Sequence, residues 1–210
     1  MRIFSWNCWG LGRPRTVRAL REAIKSQSPQ IVCLMETKKR AAEVEGMKFR
    51  FDFSNCFDVN SCGHLGGLAI LWAESVRLEI KSYSFWHINA VVRDHSEFRL
   101  SLFYGEPLVS KRVESWNLLR RLRNLLSILW MVLGDFNEVL CVNEARGVRQ
   151  RQSWQVDNFR DAVEDCGLSD VGFTGFPFTF SNRRQEEAEY QARLDRVLAD
   201  DIGGGRIREL

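Results

Sequence analysis

The fold class is decided by residues 2–35, "RIFSWNCWGLGRPRTVRALREAIKSQSPQIVCLM", which predict a strand, a helix and a second strand in succession. The first strand, "RIFSW", ends at the "GLGRP" turn. Val17, Leu20 and Ile24 share one helical face, so an amphipathic helix is predicted over residues 16–27. The apolar run "IVCLM" then predicts a second strand that is buried on both faces.

The composition predicts one soluble, intracellular domain. A chain of 210 residues with 45% hydrophobic content can bury one substantial core but hardly two. Its six cysteines form no CxxC pair, and several lie inside apolar runs, which is typical of a reduced protein. Neither a signal peptide nor a run of about 18 apolar residues is present, so we expect no membrane partner. The net charge of +3 is too small to indicate a nucleic-acid binder by itself.

The rest of the chain continues as a mixture of strands and helices. Between residues 49 and 104 the helical period disappears, and four or five short strands predict an antiparallel run. Helical periodicity returns over residues 109–126 and 153–166, with the buried strand "WMVLG" between them. Two further strand candidates are "FPFTFSN" and "ARLDRVLA". These elements predict an α/β fold with mixed sheets.

Six polar side chains lie at the ends of predicted strands, where the reactive groups of α/β sheets collect. They are Asn7, Glu36, Tyr104, Asp135, Asn137 and Asp195. An acidic, amide-rich set of this kind suits phosphodiester chemistry that depends on Mg²⁺, or on Mn²⁺ in its place. Mg²⁺ prefers oxygen ligands, takes only one or two protein carboxylates, and keeps waters and substrate oxygens in its other positions.

Five of these six side chains have a candidate role from their chemistry alone. Glu36 is the candidate metal ligand, and Asn7 and Asn137 can orient a phosphate or a metal-bound water without adding negative charge. Asp135 is placed to align or deprotonate the attacking water, and Tyr104 can donate to a developing oxyanion. A structural role stays open for each residue taken alone, because strand-terminal Asn and Asp are common turn formers.

Five ordered motifs resemble the endonuclease/exonuclease/phosphatase superfamily, which includes the apurinic/apyrimidinic endonucleases and the deoxyribonuclease-I-like enzymes. The motifs are "SWNCWGLG", "LMETK", "FYG", "LGDFN" and "RLDRVL". The chain is most similar to the endonuclease domain of plant LINE-type (non-LTR) retrotransposons, in "PQIVCLMETK", "GGLAILW", "GDFNEVL" and "CGLSDVGFTGFPFTFSN" among other stretches. This resemblance covers nearly the whole chain.

The resemblance implies a four-layered α/β sandwich of the deoxyribonuclease-I-like type. It also implies a metal-dependent enzyme that nicks one DNA strand and leaves a 3′-hydroxyl for reverse transcription. In such an enzyme Asn7 and Glu36 hold the metal and its surroundings. Tyr104 contacts the phosphate, and Asp135 with Asn137 positions the nucleophilic water.

The resemblance also implies the partners of the protein. DNA is the expected partner, and Thr179 matches a residue near the DNA in related endonucleases, although a plain strand threonine is the alternative. We expect a monomer that is nuclear if it acts as a retroelement endonuclease. In an intact element a reverse transcriptase domain follows in the same chain.

One departure from the family pattern concerns Asp195. Its role by resemblance is to orient the catalytic histidine of a C-terminal "SDH" motif, which this sequence lacks. The alternative for Asp195 is an ion pair with Arg193 or Arg196. The three histidines of the chain lie at positions that predict turn or surface residues; they are His64, His87 and His95.

Because of this departure we expect impaired or absent activity. Residues 1–199 are expected to form a domain that is incomplete at its C-terminus and lacks its last strand or strands, and residues 200–210 an aberrant tail. A non-catalytic nucleic-acid-binding remnant is the alternative function. Its phosphate-contacting surface would consist of Arg112, Arg120, Arg121, Arg123, Arg146, Arg149 and Arg151.

Overall fold

The computed structural model describes residues 1–63, 65–94, 96–147, 151–182 and 189–200. Nearly all of the expected tail, as well as His64, His95 and Arg149, lies outside this part of the chain. The described chain forms two compact units, Met1–Phe103 and the residues from Tyr104 onward. None of the described helices is long and apolar enough to cross a membrane.

The first unit begins with the predicted strand, helix and strand. Its elements are β1 (Ile3–Asn7), α1 (Pro14–Gln27), β2 (Ile31–Met35), α2 (Ala41–Met47), a 3-10 turn (Lys48–Phe51), β3 (Asn55–Cys62) and β4 (Leu65–Trp72). The sheet order is β1-β2-β4-β3, with β1 parallel to β2 and the other pairs antiparallel. Leu20 of α1 is fully buried in a core cluster with Val32 and Leu34 of β2. The amphipathic pattern of α1 therefore packs the helix onto the sheet.

Three antiparallel strands complete the first unit. They are β5 (Arg77–Ser84), β6 (His87–Arg93) and β7 (Glu97–Tyr104). The antiparallel pairs predicted between residues 49 and 104 are confirmed, but they do not form one run, because β3 and β4 belong to the sheet of β1 and β2. The strand expected from Phe49 begins only at Asn55, since Lys48–Phe51 is a 3-10 turn.

The second unit contains the remaining helices and strands. They are a 3-10 turn (Val109–Lys111), α3 (Val113–Arg123), β8 (Trp130–Asp135), a 3-10 turn (Val142–Glu144), β9 (Ala145–Gly147), α4 (Ser153–Asp165), β10 (Leu168–Asp170), β11 (Phe180–Ser181), β12 (Tyr190–Ala192) and β13 (Asp195–Asp200). Strand β13 pairs antiparallel with both β8 and β10, and β11, β12 and β9 form a small sheet. Trp116 of α3 stacks on Phe159 of α4, with ring centroids 4.4 Å apart. Both helices thus contribute aromatic rings to one core.

Two predicted strands are shorter in the structure than in the sequence pattern. Of "FPFTFSN" only Phe180–Ser181 is a strand. The run "ARLDRVLA" is divided between β12 and β13, because the chain turns at Arg193 and Leu194. Arg193, at this break, and Arg196, in β13, belong to a network of ion pairs in the second unit.

The network joins Arg193 and Arg196 to two carboxylates. Arg193 donates to Glu144 at 3.1 Å and to Asp170 at 2.8 Å. Arg196, whose side chain is fully buried, donates to the same two carboxylates at 2.7 and 2.6 Å. The four side chains therefore connect the 3-10 turn before β9, strand β10 and strand β13.

This network predicts a loss of stability in acid. Burial by itself would raise the pKa of Glu144, but the hydrogen bond and charge of Arg196 outweigh burial and lower this pKa below its ordinary value of 4.5. A carboxyl whose pKa is lowered on folding stabilises the protein above its unfolded pKa and loses that contribution as the pH falls through the folded value. We expect Glu144→Gln to flatten the fall of unfolding free energy below about pH 4.5, as measured by urea titrations at several pH values.

Glu164→Gln on the exposed face of α4 is the matched control, because Glu164 lies outside the network. It should keep the pH dependence of the unmodified chain. An unchanged slope in Glu144→Gln would show that the network does not contribute to acid sensitivity.

Candidate functional site

In the first unit, Asn7 and Glu36 come together because β1 and β2 are parallel and in register. Asn7 lies opposite Met35, so the ends of the two strands meet. The Nδ2 of Asn7 donates to Glu36 Oε1 at 3.1 Å, and Lys38 Nζ lies 3.0 Å from Glu36 Oε2. We call Asn7, Glu36 and Lys38 the Glu36 group. The structure brings together the two residues that the sequence assigned to a metal, while Lys38 was not predicted.

The backbone of the Glu36 group is strained. Glu36 and Lys38 both have φ of 51°, in the left-handed region that non-glycine residues rarely adopt. A glycine pair holds this turn in place: Thr37 N donates to Gly67 O at 3.0 Å, and Lys38 N donates to Gly66 O at 3.1 Å. A Cβ on Gly67 would lie 2.3 Å from Thr37 Oγ1. This contact was not predicted, and the "GG" before "LAILW" is the sequence feature that could have indicated it.

The donor atoms of the Glu36 group fit Mg²⁺ better than a softer metal. They are one carboxylate and one amide oxygen, and Mg²⁺ needs few protein ligands. The nearby thiol of Cys8 donates to the carbonyl of Met35 at 3.2 Å, and burial raises its pKa to about 12, so it stays protonated. A thiol that stays protonated is a poor metal ligand. Among the described residues no three His, Cys, Asp or Glu side chains form a cluster able to hold a metal.

In the second unit, Asp135 and Asn137 form a tight turn at the end of β8. Asp135 Oδ1 accepts the backbone N–H of Asn137 at 2.8 Å, and Asn137 has φ of 55°. The side chain of Asn137 donates to the carbonyl of Gly105 at 2.8 Å, while Gly105 N donates to Asp135 O at 2.7 Å. A Cβ on Gly105 would lie 2.3 Å from the carbonyl oxygen of Phe136. Gly105 therefore lets the chain after Tyr104 approach this turn.

Asp195 lies directly opposite Asp135 in the antiparallel pair of β13 and β8. Opposite residues in such a ladder have Cβ atoms about 4.5–5.5 Å apart, and like charges there are destabilising. Neither sequence patterns nor motifs indicated this pairing, because the register of two distant strands is not visible in the sequence. We call Asp135, Asn137 and Asp195 the Asp135 group.

Thr179 helps to hold the Asp135 group in the second unit. Its hydroxyl accepts the backbone N–H groups of Leu194 and Asp195, both at 3.0 Å. Thr179 is exposed and lies just before β11. The structure thus gives Thr179 a role in fixing the start of β13, and its contact with DNA remains a prediction.

Tyr104, at the end of β7, is 6% exposed. The structure therefore places its ring in the protein interior. Contact of its hydroxyl with a phosphate remains a prediction.

Arg112 differs from the expectation of a surface arginine. Its side chain is buried, pairs with the fully buried carboxylate of Glu138, and donates to the carbonyls of Glu106 and Pro107 at 3.1 and 2.8 Å. Arg112 is therefore not part of an exposed phosphate-contacting surface. Its sequence position beside an amphipathic helix did not reveal that Glu138 would lie against it.

Other arginines of the expected surface are also engaged within the second unit. Arg120 pairs with Asp165 at 2.7 Å, and Arg123 lies 3.7 Å from Asp200. Arg151 pairs with Glu138 at 3.3 Å. These ion pairs weaken the alternative of a phosphate-binding surface around α3.

His87 is the one histidine within the described residues. It was predicted to be a turn or surface residue, and this is wrong: it begins β6 and is 5% exposed. Its ring nitrogens lie 2.7 Å from Ser84 Oγ and 3.2 Å from Ser82 Oγ. Both nitrogens are therefore occupied inside the first unit.

The profile of the Endonuclease/Exonuclease/phosphatase family matches residues 4–207 of this chain. The chain belongs to this family, as its ordered motifs predicted. Members of the family typically use Mg²⁺. No curated protein matches the sequence.

Solved structures show the same fold. An AP endonuclease from Archaeoglobus fulgidus superposes with a TM-score of 0.72 at 16% identity, covering 96% of this chain and 88% of the other. The endonuclease domain of TRAS1, a telomere-specific non-LTR retrotransposon, gives 0.68 at 15% identity, covering 96% and 85%. The 3′ phosphatase NExo from Neisseria, bound to product DNA hairpin, gives 0.67 at 17% identity, covering 96% and 87%. The predicted fold class is confirmed: a mixed α/β fold with two main mixed sheets flanked by helices.

Gly67→Ala is predicted to displace the Glu36 group. The new Cβ would clash with Thr37 at a backbone position with φ of 87°, and we expect a loss of about 1–3 kcal/mol in unfolding free energy. Urea denaturation measures this loss. Gly63→Ala is the control, because Gly63 also has a positive φ but a Cβ there meets open space. Equal losses in both variants would mean that the Thr37 contact has no special effect.

Proposed function

We propose that this protein is a metal-dependent DNA endonuclease of the non-LTR retrotransposon kind, which nicks one strand by phosphodiester hydrolysis. The observation that carries the proposal is the pairing of Asn7 with Glu36 at the ends of two parallel strands. It provides oxygen ligands on a strained turn in a chain that belongs to a nuclease and phosphodiesterase family. Strained backbone of this kind is concentrated at functional sites.

The Glu36 group is the proposed holder of Mg²⁺, or of Mn²⁺ in its place. Glu36 would supply the carboxylate, and Asn7 keeps that carboxylate oriented through its 3.1 Å hydrogen bond. The ion would neutralise charge on the phosphate and polarise it toward attack. Lys38, 3.0 Å from the other carboxylate oxygen, limits the negative charge of the group, so a phosphate can approach.

The Asp135 group is the proposed holder of the attacking water. Asp135 is fixed through Oδ1 by the backbone of Asn137, and a carboxylate held in one orientation can align a water molecule and take its proton. The left-handed backbone of Asn137 directs its amide to Gly105, which fixes the turn. Asp195 adds a second negative charge beside Asp135, and Tyr104 is the proposed phosphate contact.

DNA is the proposed substrate, and a retrotransposon the proposed origin. The motifs "PQIVCLMETK" and "CGLSDVGFTGFPFTFSN" resemble plant LINE-type endonuclease domains, and the TRAS1 endonuclease domain shares the fold. The similar NExo structure was determined with a DNA hairpin. By this proposal the protein acts as a monomer in the nucleus, and in an intact element a reverse transcriptase domain is joined to it.

Plasmid nicking tests the function. We expect the purified chain to convert supercoiled plasmid to open circles in MgCl₂ but not in EDTA. Glu36→Gln and Asp135→Asn should each lower the rate by about 100-fold or more, because each removes one charged group from the reaction. Glu22→Gln on the exposed side of α1 is the matched control and should nick like the unmodified chain.

Two outcomes would overturn this function. One is nicking that persists in EDTA, or that persists in both Glu36→Gln and Asp135→Asn. The other is hydrolysis of inositol or lipid phosphates by a chain that leaves DNA intact, since that substrate class also fits the family fold.

The rate of the 210-residue chain is expected to be low. Histidine occurs in it only at positions 64, 87 and 95, and His87 is engaged by two serines. An acid or base supplied by a positioned histidine typically contributes a factor of about 10²–10⁴. Imidazole added at tens of millimolar should therefore raise the nicking rate several-fold.

The imidazole response has its own control. Pyrazole at the same concentration and pH separates general acid or base rescue from a medium effect, because it has the size of imidazole but is far too weak a base to exchange a proton near neutral pH. A rate that is already high and indifferent to imidazole would show that the chain does not lack a histidine for this reaction.

A further inference from the structure

The positive charge of this chain is concentrated at its beginning. Residues 1–50 contain eleven Lys and Arg against four Asp and Glu, an excess of seven positive charges, although the whole chain carries only +3. Residues 51–210 are therefore acidic overall. Such asymmetry indicates a local surface for an anionic partner even where the total charge is small.

The structure places part of this charge around one groove in the first unit. The groove lies between α1 and α2 and has a volume of about 790 Å³. Four cationic side chains line it, from α1, the chain before α2, and the 3-10 turn after α2; they are Arg18, Arg21, Lys39 and Arg50. Apolar side chains line it as well, among them Leu11, Val17 and Met47. The groove thus combines positive charge with an apolar surface.

Two of these cations are available to a ligand. Arg21 donates through Nε and Nη2 to the backbone carbonyl of Arg50, at 3.2 and 3.0 Å, and Lys39 pairs with Glu43, the one acidic residue of the lining, at 2.8 Å. Within the part of the chain that the structure describes, the guanidinium groups of Arg18 and Arg50 make no ion pair, and both residues are exposed. The groove therefore keeps positive charge that no ion pair with a described residue neutralises.

The shape of the groove depends on Gly46. This residue lies inside α2 and lines the groove, and a Cβ added there would meet nothing within 4 Å. A glycine inside a helix costs about 1 kcal/mol relative to alanine. An unfilled glycine at this position keeps the groove open along α2.

We propose that the groove between α1 and α2 binds the phosphate backbone of the DNA substrate, a proposal that rests on DNA nicking as the function. Successive phosphates on a strand match cations that are spread along an open groove, and sugars or bases can pack on its apolar side chains. Leu11 of the groove donates its N–H to the carbonyl of Thr37 at 2.9 Å. The groove therefore begins at the turn that carries Glu36, and DNA held there extends away from the phosphate that is cleaved.

Binding of a fluorescent 30-base-pair duplex, measured by anisotropy in EDTA, tests the proposal without requiring cleavage. The double variant Arg18→Ala/Arg50→Ala should weaken binding about ten-fold at 0.1 M salt. It should also reduce the slope of log Kd against log salt by about 1.8, since each phosphate contact contributes about 0.9. The control Arg77→Ala/Lys111→Ala removes two exposed cations outside the groove and should change Kd by less than about two-fold.

A second variant tests the shape of the groove without changing its charge. Gly46→Leu places an apolar side chain in the open space, so we expect weaker DNA binding at an unchanged or higher Tm, because leucine favours a helix more than glycine does.

Tripolyphosphate and poly-glutamate serve as competitors that test which class of anion the groove binds. Neither should displace the duplex at equal concentrations of charge.

Three results would overturn the proposal. Equal weakening in the groove variant and its control would show that only net charge matters. Displacement by tripolyphosphate would indicate a small-anion site, and displacement by poly-glutamate an acidic peptide surface. Nicking is measured separately. If the chain nicks DNA but all variants bind DNA equally, the groove proposal is overturned while the proposed nicking function stands.

Discussion

The contact between Thr37 and the glycine pair Gly66–Gly67 is the constraint on which the Glu36 group depends. Two backbone hydrogen bonds cross it, and no side chain other than hydrogen fits at Gly67. The turn after β2, which these hydrogen bonds hold against the glycine pair, has left-handed backbone angles at Glu36 and Lys38. The carboxylate of Glu36 accepts a hydrogen bond from Asn7. The sheet and the turn together therefore fix the position of this carboxylate.

The second unit uses the same device with different residues. Gly105 touches the backbone of Phe136 so closely that a Cβ would overlap it, and the turn beside it contains Asn137 in the left-handed region. Both groups thus consist of a polar residue at a strand end, a strained turn, and a glycine on a neighbouring segment of the same chain. Interiors packed this closely resist small displacements, so the polar atoms keep fixed positions before any ligand arrives.

The sequence predicted the elements that have a strong local pattern. The strand, helix and strand of residues 2–35 follow from apolar spacing, and Asn7 and Glu36 were expected to lie together because both stand where such strands end. What could not be predicted depends on partners that are distant in the chain. Buried Arg112 pairs with Glu138, and Arg196 pairs with the carboxylates of Glu144 and Asp170. Asp195 lies opposite Asp135 through the register of two distant strands. The short helix α2 has too little periodicity to be recognised.

The opposition of Asp135 and Asp195 across two strands has a consequence for how chains of this family diverge. Like charges at this distance lower the stability of the fold, so replacing either carboxylate with a neutral residue relieves repulsion while it removes a group proposed for the reaction. Proteins that lose their catalytic duty are then free to gain stability at the same position. Among chains of the family, neutral residues at the positions of Asp135 or Asp195 would mark those in which the folded state is retained without the proposed reaction.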